Sequence, residues 1–337
     1  VLFAVLTVGG GCYLAHYLTR TPDWEIALDE ANGKPPRESL AILQAALDRD
    51  PNNPRLLEAV ANAIKRDQGP VNDYDHIITR WCQAEQNNPT PFRIKLELMQ
   101  SVQRWDSAIE PARHLSSLVP KDASVHLALA DLYYRTGRYE EAESEYDRVA
   151  NLAGGLTDES ILGLARTEIA LKRPAEAIER LNHLLAKDPD NMSALLLRGV
   201  AHYEAGAFQQ SIKDLERPEP RSFQDMELRL STLGKALARN GQRAEAQAVF
   251  DKLARTQDAM AYHRDAQLTP DNRGLQIKAA QALLAADLKQ DACNLLQSAL
   301  AHLEPDRTML EMLATCQEEL GHPETAAELR RRAARFP

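Results

Sequence analysis

The residues able to do chemistry are scattered along this chain of 337 residues. Nine histidines (His16, His76, His114, His126, His183, His202, His263, His302 and His322) stand apart, and no pair has the close spacing that lets two side chains share a metal ion. The four cysteines, Cys12, Cys82, Cys293 and Cys316, form no C-x-x-C. Cys82, Cys293 and Cys316 lie among apolar neighbours in helical patterns, which reads as buried, unreactive thiols; a bridge between Cys293 and Cys316 is a geometric alternative. Asp48-x-Asp50-x-Asn52 has the opening of a calcium loop. Its sixth position, however, is Asn53 where Gly is needed, and its twelfth is Ala59 where a bidentate Glu is needed, so it reads as a turn ending a helix. Asn191-Met192-Ser193 fits a glycosylation acceptor, yet Asn191 is better placed as a helix cap. G-x-S-x-G, H-E-x-x-H, the phosphate loop and the dinucleotide glycine fingerprint are all missing from the sequence. The expectation is a protein that is not an enzyme, with no cofactor, no metal and no small-molecule substrate.

Composition narrows the partners. Lys+Arg 40 against Asp+Glu 49 gives a net charge of −9, which argues against a nucleic-acid partner. Hydrophobic residues make up 44% but aromatics only 5%, a balance that suits close-packed helices rather than a sheet.

The elements that must position any binding residue are clearest over 123–155. Leu129, Ala130 and Tyr133 share one helix face, and Ala142, Tyr146 and Val149 share another, with Gly137 in the turn between. Two such helices cannot enclose a core alone. The unit recurs: the small residues Ala108, Ala142, Ala177, Ser211 and Ala246 follow one another at 34 or 35 residues. Twelve residues before the last four of them stand Ala130, Ala165, Gly199 and Gly234. Gly137, Gly206, Gly241 and Gly321 fall at corresponding turns, and Pro51, Pro89, Pro120 and Pro189 close second helices. Further units follow at Ala279–Ala299 and Leu313–Ala326, and weaker ones precede residue 90, giving eight or nine helical pairs.

This pattern resembles the tetratricopeptide repeat family. The resemblance implies an all-α fold, a right-handed superhelical solenoid of antiparallel helix pairs, whose first helices line a concave groove. The groove residues so implied are Arg93, Glu97, Asp131, Tyr134, Arg135, Arg166, Tyr203, Lys235 and Arg239, a mixed-charge set with two tyrosines that suits a peptide or protein segment. Some family members clamp a C-terminal carboxylate with Lys and Asn at set first-helix positions. Here the first of those positions holds Arg93, Leu127, Leu162, Leu196 and Ser231, and the Asn positions hold Glu97, Asp131, Arg166, Val200 and Lys235, so that clamp is absent.

Two departures from the period stand out. Arg217-Pro218-Glu219-Pro220 cuts a second helix short and suggests a break between arrays. Between Ala246 and Ala292 the spacing grows to 46 residues, with the surplus at 256–272. Either that surplus is a binding insertion presenting Tyr262, His263, Arg264 and Asp265, or it lengthens a helix and adds a loop. At the C-terminus, Arg330, Arg331, Arg332 and Arg335 complement a final helix dipole or contact lipid headgroups or an acidic partner.

Residues 1–18, VLFAVLTVGGGCYLAHYL, carry no Asp, Glu, Lys or Arg. As a helix they would rise about 27 Å against a hydrocarbon thickness of roughly 30 Å. The expectation is a single transmembrane helix preceding the solenoid; a cleaved signal, with Cys12 acylated, and a buried helix are the alternatives. Thr7, Gly11 and Ala15 are four apart and form a small-residue face for another membrane helix. The expected organisation is an anchor at 1–19, an array at 20–216 that is irregular over 20–90, a Pro-rich break at 217–222 and a second array at 223–337. The protein would be a single-pass membrane protein with its bulk in the aqueous phase, periplasmic or extracytoplasmic rather than cytoplasmic. It would act as a scaffold, a subunit or assembly factor of a membrane or envelope complex, meeting other protein subunits through both the transmembrane helix and the solenoid. The alternative is a regulatory or chaperone-like adaptor that binds peptides transiently in its groove.

Overall fold

The computed structural model describes residues 22–336 except 156 and 218–221. Among the described residues there are eighteen α-helices and no strand. They belong to two compact units, one through Gly163 and one from Leu164 onward. The first holds the pairs α1 (Asp23–Ala31) and α2 (Pro36–Leu47), α3 (Pro54–Arg66) and α4 (Val71–Ala84), α5 (Pro89–Ser101) and α6 (Trp105–Leu118), and α7 (Ala123–Arg135) and α8 (Tyr139–Ala153). Helix α9 (Asp158–Ala170) begins in the first unit and ends in the second, where it precedes α10 (Pro174–Lys187). The second unit continues with α11 (Met192–Glu204) and α12 (Phe208–Leu215), α13 (Phe223–Arg239) and α14 (Arg243–Leu268), α15 (Arg273–Ala285) and α16 (Lys289–His302), and α17 (Arg307–Glu319) and α18 (Pro323–Ala333).

Caps explain why first helices start where they do. The side chains of Asn53, Asn88, Asp122, Asn191, Ser222, Asn272 and Asp306 each accept a hydrogen bond from a backbone N–H of the first turn that follows. Asn191 is thus a cap, accepting from the Ala194 N–H at 3.0 Å. Pro89, expected to close a second helix, instead opens α5, where its missing N–H is one the helix would leave unpaired anyway. Second helices lack side-chain caps and are set by the turn before them. Five residues ahead of each small second-helix residue the backbone is left-handed: Gly137, Gly206, Gly241 and Gly321, but also Gln103, Lys172 and Asp287. Only glycine adopts that conformation without a steric penalty.

Small residues set how closely paired helices approach. Ala108, Ala142, Ala177 and Ser211 are wholly buried, as are Ala130 and Ala165. A Cβ on Gly199 would lie 2.6 Å from the Leu215 side chain, and one on Gly234 would lie 2.5 Å from the Phe250 ring. In both cases the large residue stands sixteen places after the glycine, on the partner helix. At the same register in the first unit Tyr146 faces Ala130, and being longer it reaches Gly163, where a Cβ would sit 2.3 Å from Cζ. The Tyr146 hydroxyl donates to Asp131 at 2.5 Å.

The surplus at 256–272 lengthens a helix, which runs to Leu268, and ends in a short turn over 269–272. Helix α14 runs 26 residues to Leu268, and its extra turns carry Ala259 and Ala266 into a core shared with Met226 and Leu230 of α13 and Ala279, Ala280 and Leu283 of α15. Gln276, buried on α15, donates to the Ala266 carbonyl at 2.8 Å and the Thr269 carbonyl at 3.3 Å. It satisfies acceptors that a helix end leaves open. The expected break at 217–222 lies mostly outside the described residues; α12, which leads into it, has only eight. The expected membrane segment 1–19, with Thr7, Gly11, Cys12 and Ala15, also lies outside them. Among the described residues no helix is long and apolar enough to cross a membrane.

Candidate interaction surface

The position following each small first-helix residue holds Asp131, Arg166, Val200 and Lys235, with Glu97 at the matching place on α5. Glu97, Arg166 and Lys235 are exposed and Asp131 is half-buried. Lys235 makes no hydrogen bond or ion pair among the described residues, and Asp131 accepts from Tyr146. Within the first unit this register is acidic, at Glu97 and Asp131. Within the second it is basic and apolar, at Arg166, Val200 and Lys235.

Several expected groove residues also make contacts within the chain. Arg93 is half-buried and donates to Asp122 at 2.6 Å, tying α5 to the residue that caps α7. The Arg135 guanidinium lies 4.6 Å from the centre of the Trp105 ring, and the Arg239 guanidinium lies 5.5 Å from that of Phe208. These two arginines occupy the same place in their repeats, and both aromatics open the second helix of the preceding pair. Each contact is a cation–π clasp between adjacent pairs, worth about 0.5–1 kcal/mol at an exposed site. Tyr134 packs on Tyr139 and Tyr203 on Phe208, with ring centroids 5.7 and 5.8 Å apart. In the lengthened helix Tyr262 packs against the core beneath the Lys278 ammonium, 4.4 Å from the ring centre, and the His263 Nε2 lies 3.0 Å from the Gln267 amide nitrogen. Arg264 and Asp265 stay exposed.

Buried polar groups, invisible as motifs, hold the pairs together. His126 on α7 faces Glu145 on α8 at 2.6 Å, and Arg148 approaches the other oxygen of that carboxylate at 3.2 Å. Arg198 on α11 makes two bonds to Asp214 on α12, at 2.8 and 2.7 Å, and a third to Asn182 on α10 at 2.8 Å. Such forked pairing fixes orientation as well as distance. Burial lowers the pKa of the neighbouring His202, against the opposing pull of Asp214. Glu168, fully buried, is bonded to Arg180; its desolvation outweighs that partner and raises its pKa. Cys82, Cys293 and Cys316 are free thiols. Burial raises Cys82 and Cys316 to about 11, which suppresses the reactive thiolate.

These ionic clusters tie helices together within a pair or between neighbours. The surface left for a partner is the outer register of the first helices, where the side chains change in charge from repeat to repeat, while the residue before each stays small at Ala130, Ala165, Gly199 and Gly234.

Comparison with known proteins agrees with that periodic build. Models of the tetratricopeptide repeat match residues 101–155 and 162–221. No curated protein matches the chain. Among solved structures, a tetratricopeptide repeat protein from Parabacteroides merdae ATCC 43184 is 15% identical, with a TM-score of 0.47 over 88% of this chain and 99% of that one. Cut9–Hcn1, described as an APC/C hetero-tetramer, is 16% identical with a TM-score of 0.45; the match takes in 87% of this chain but spans only 55% of that chain's length. YrrB, described as a TPR protein with an unusual peptide-binding site, is 16% identical with a TM-score of 0.38 over 62% of this chain and 97% of that one. Tetratricopeptide repeats are thus found by family models over residues 101–155 and 162–221, two stretches within the all-helical array.

Proposed function

We propose that this protein is a non-catalytic scaffold whose first-helix faces hold segments of other proteins. We further propose that residues 1–19 tie it to a membrane, as a subunit or assembly factor of a membrane or envelope complex. The observation that carries the reading is the register described above. One side-chain position per repeat, on the first helices, varies in charge, and it is exposed at Glu97, Arg166 and Lys235 on α5, α9 and α13. A repeat array offers many weak contacts spread over length, which suits an extended protein segment better than a small molecule, whose site needs a deep enclosing pocket.

The test is purification of the intact chain from its native membranes in mild detergent, followed by mass spectrometry and size-exclusion chromatography. Stoichiometric subunits that remain bound through the column and are lost on E97K and K235E support the scaffold. A monodisperse monomer overturns it. Substoichiometric capture that exchanges within minutes would favour the transient adaptor.

A further inference from the structure

We infer that the first-helix face of the second unit takes an acidic, leucine-bearing segment of a partner protein, a reading that rests on the scaffold function proposed above. Helix α13 carries Leu228, Lys235 and Arg239 at spacings of seven and four, which places them on one side of the helix. Leu228 is 40% exposed, unusual for a large apolar residue in this chain. Lys235 is exposed and makes no hydrogen bond or ion pair among the described residues. Arg239 rests on Phe208 yet is itself exposed. Helix α11 packs beside α13 and adds the half-buried Val200 and Tyr203, both seated on the core formed in part by Leu233 and Leu237.

The acidic residues nearby are already engaged. Glu204 pairs with Lys172 at 3.1 Å, Asp225 accepts from the Ser222 hydroxyl at 2.7 Å, and Glu227 accepts from Gln257 at 2.6 Å. Of these only Glu204 is neutralised, by Lys172; Asp225 and Glu227 keep their charge toward the start of α13, while its last turns present the cations Lys235 and Arg239, so the face combines the apolar Leu228, Val200 and Tyr203 with cations at one end. Charge complementarity selects a partner with acidic residues, and the exposed leucine selects one with apolar residues among them. A nucleic acid would meet the cations but leave Leu228, Val200 and Tyr203 unused. The carboxylate-clamp positions hold other residue types, so the segment is recognised by its side chains and not by a chain end.

The inference is tested on the full chain with a fluorescein-labelled helical peptide, acetylated and amidated at its ends, in which glutamates flank a leucine stripe. Three probes are compared with it: the same peptide with lysine for glutamate, one with serine for leucine, and a single-stranded DNA oligonucleotide of equal charge. The glutamate peptide is expected to bind about tenfold more tightly than the other three, a difference of roughly 1.4 kcal/mol. K235E and L228S should each weaken it about tenfold, while K213E, which reverses an exposed charge on α12, should change it less than about twofold. Circular dichroism melts of the variants check that all three exposed substitutions leave the fold intact. Equal binding of the lysine peptide or of the DNA overturns the inference, as does equal weakening by K213E and K235E. A random peptide-display selection on the same chain separates the two levels. Non-acidic peptides whose binding is lost on E97K or K235E would overturn the partner chemistry and leave the scaffold standing. No selected peptide together with no binding of the glutamate probe overturns both.

Discussion

Asp122 serves two helices with one carboxylate. It caps α7, accepting from the Ser124 N–H at 3.1 Å and its hydroxyl at 2.6 Å, and it receives the Arg93 guanidinium from α5. The Ser124 hydroxyl first, and Arg93 second, hold its carboxyl down at about 2 against an ordinary 3.8. A carboxylate whose folded value is depressed stabilises the fold above its unfolded value and loses that contribution as pH falls through the folded one. D122A should therefore cost about 1 kcal/mol at pH 7, the usual worth of a helix cap. The gap from the wild-type chain should close as pH falls from about 4 toward 2, read by urea melts across that range. Glu168 has the opposite sign. Burial raises its folded value above 4.5, so its charge is a burden once pH exceeds the unfolded value and none below it. E168Q keeps an acceptor for Arg180 and removes the charge. It should raise the melting temperature at pH 7 by about 2 °C, and the gain should shrink as pH is lowered to 4. A fall in melting temperature at pH 7 would mean that the Arg180 pair outweighs the burial.

Neighbouring helices approach as closely as their smallest residues allow, and three glycines rank that approach, Gly199 and Gly234 within a pair and Gly163 between α8 and α9. Gly163 faces the end of a Tyr146 ring that is buried and fixed by Asp131, Gly199 faces a buried Leu215, and Gly234 faces a Phe250 that is only partly buried and has room to shift. Substitution by alanine should destabilise in the order G163A, G199A, G234A, spanning about 3 to 1 kcal/mol, as overpacking of cores does. Chemical denaturation of the three variants would show it, and equal costs would mean that helix spacing is not set at these contacts. Gly199 and Gly234 were legible in the sequence because they recur with the period. The role of Gly163 was not, because the period says nothing of how far the Tyr146 hydroxyl reaches. The left-handed turns were legible where Gly fills them and hidden at Gln103, Lys172 and Asp287, where the fold imposes the conformation on residues that do not advertise it. The candidate groove was the least legible. Arg135 and Arg239 are exposed, as expected, but that each also covers a ring could not be seen, because those rings lie thirty or so positions earlier, in the preceding pair. The surplus at 256–272 contains no Gly or Pro before Pro270, which is compatible with continued helix. What decides between helix and loop is the buried side that Ala259 and Ala266 share with α15, and that contact is not local in sequence.

At the scale of the whole molecule the helical array and residues 1–18 differ in their chemistry toward a membrane. The array meets water with charged and polar first-helix positions, its five exposed large hydrophobics, Ile26, Val71, Leu152, Leu228 and Leu268, are spread over different helices, and no described helix is apolar enough to span a bilayer. Scattered apolar residues of that kind give little affinity for a hydrocarbon phase. Residues 1–18, by contrast, hold no Asp, Glu, Lys or Arg and include Leu2, Phe3, Val5, Leu6, Val8, Leu14 and Leu18. If the proposed anchoring holds, essentially all membrane affinity resides in that stretch. The full chain should then sediment with vesicles and resist extraction by high salt and by alkaline carbonate, whereas residues 22–337 should stay in the supernatant. Electrostatic attachment through Arg330, Arg331, Arg332 and Arg335 would give a different result, with both chains sedimenting on anionic vesicles and both released by salt, because screening weakens exposed charge pairs but not apolar insertion. Sedimentation of residues 22–337 that survives high salt would show that apolar surface in the array carries the attachment, and the anchor would then be unnecessary. Replacing Leu6 and Val8 with lysine in the full chain completes the test. Two charges near the middle of a spanning helix each cost about 3 kcal/mol, enough to move the chain into the soluble fraction if the segment inserts and of no consequence if it does not.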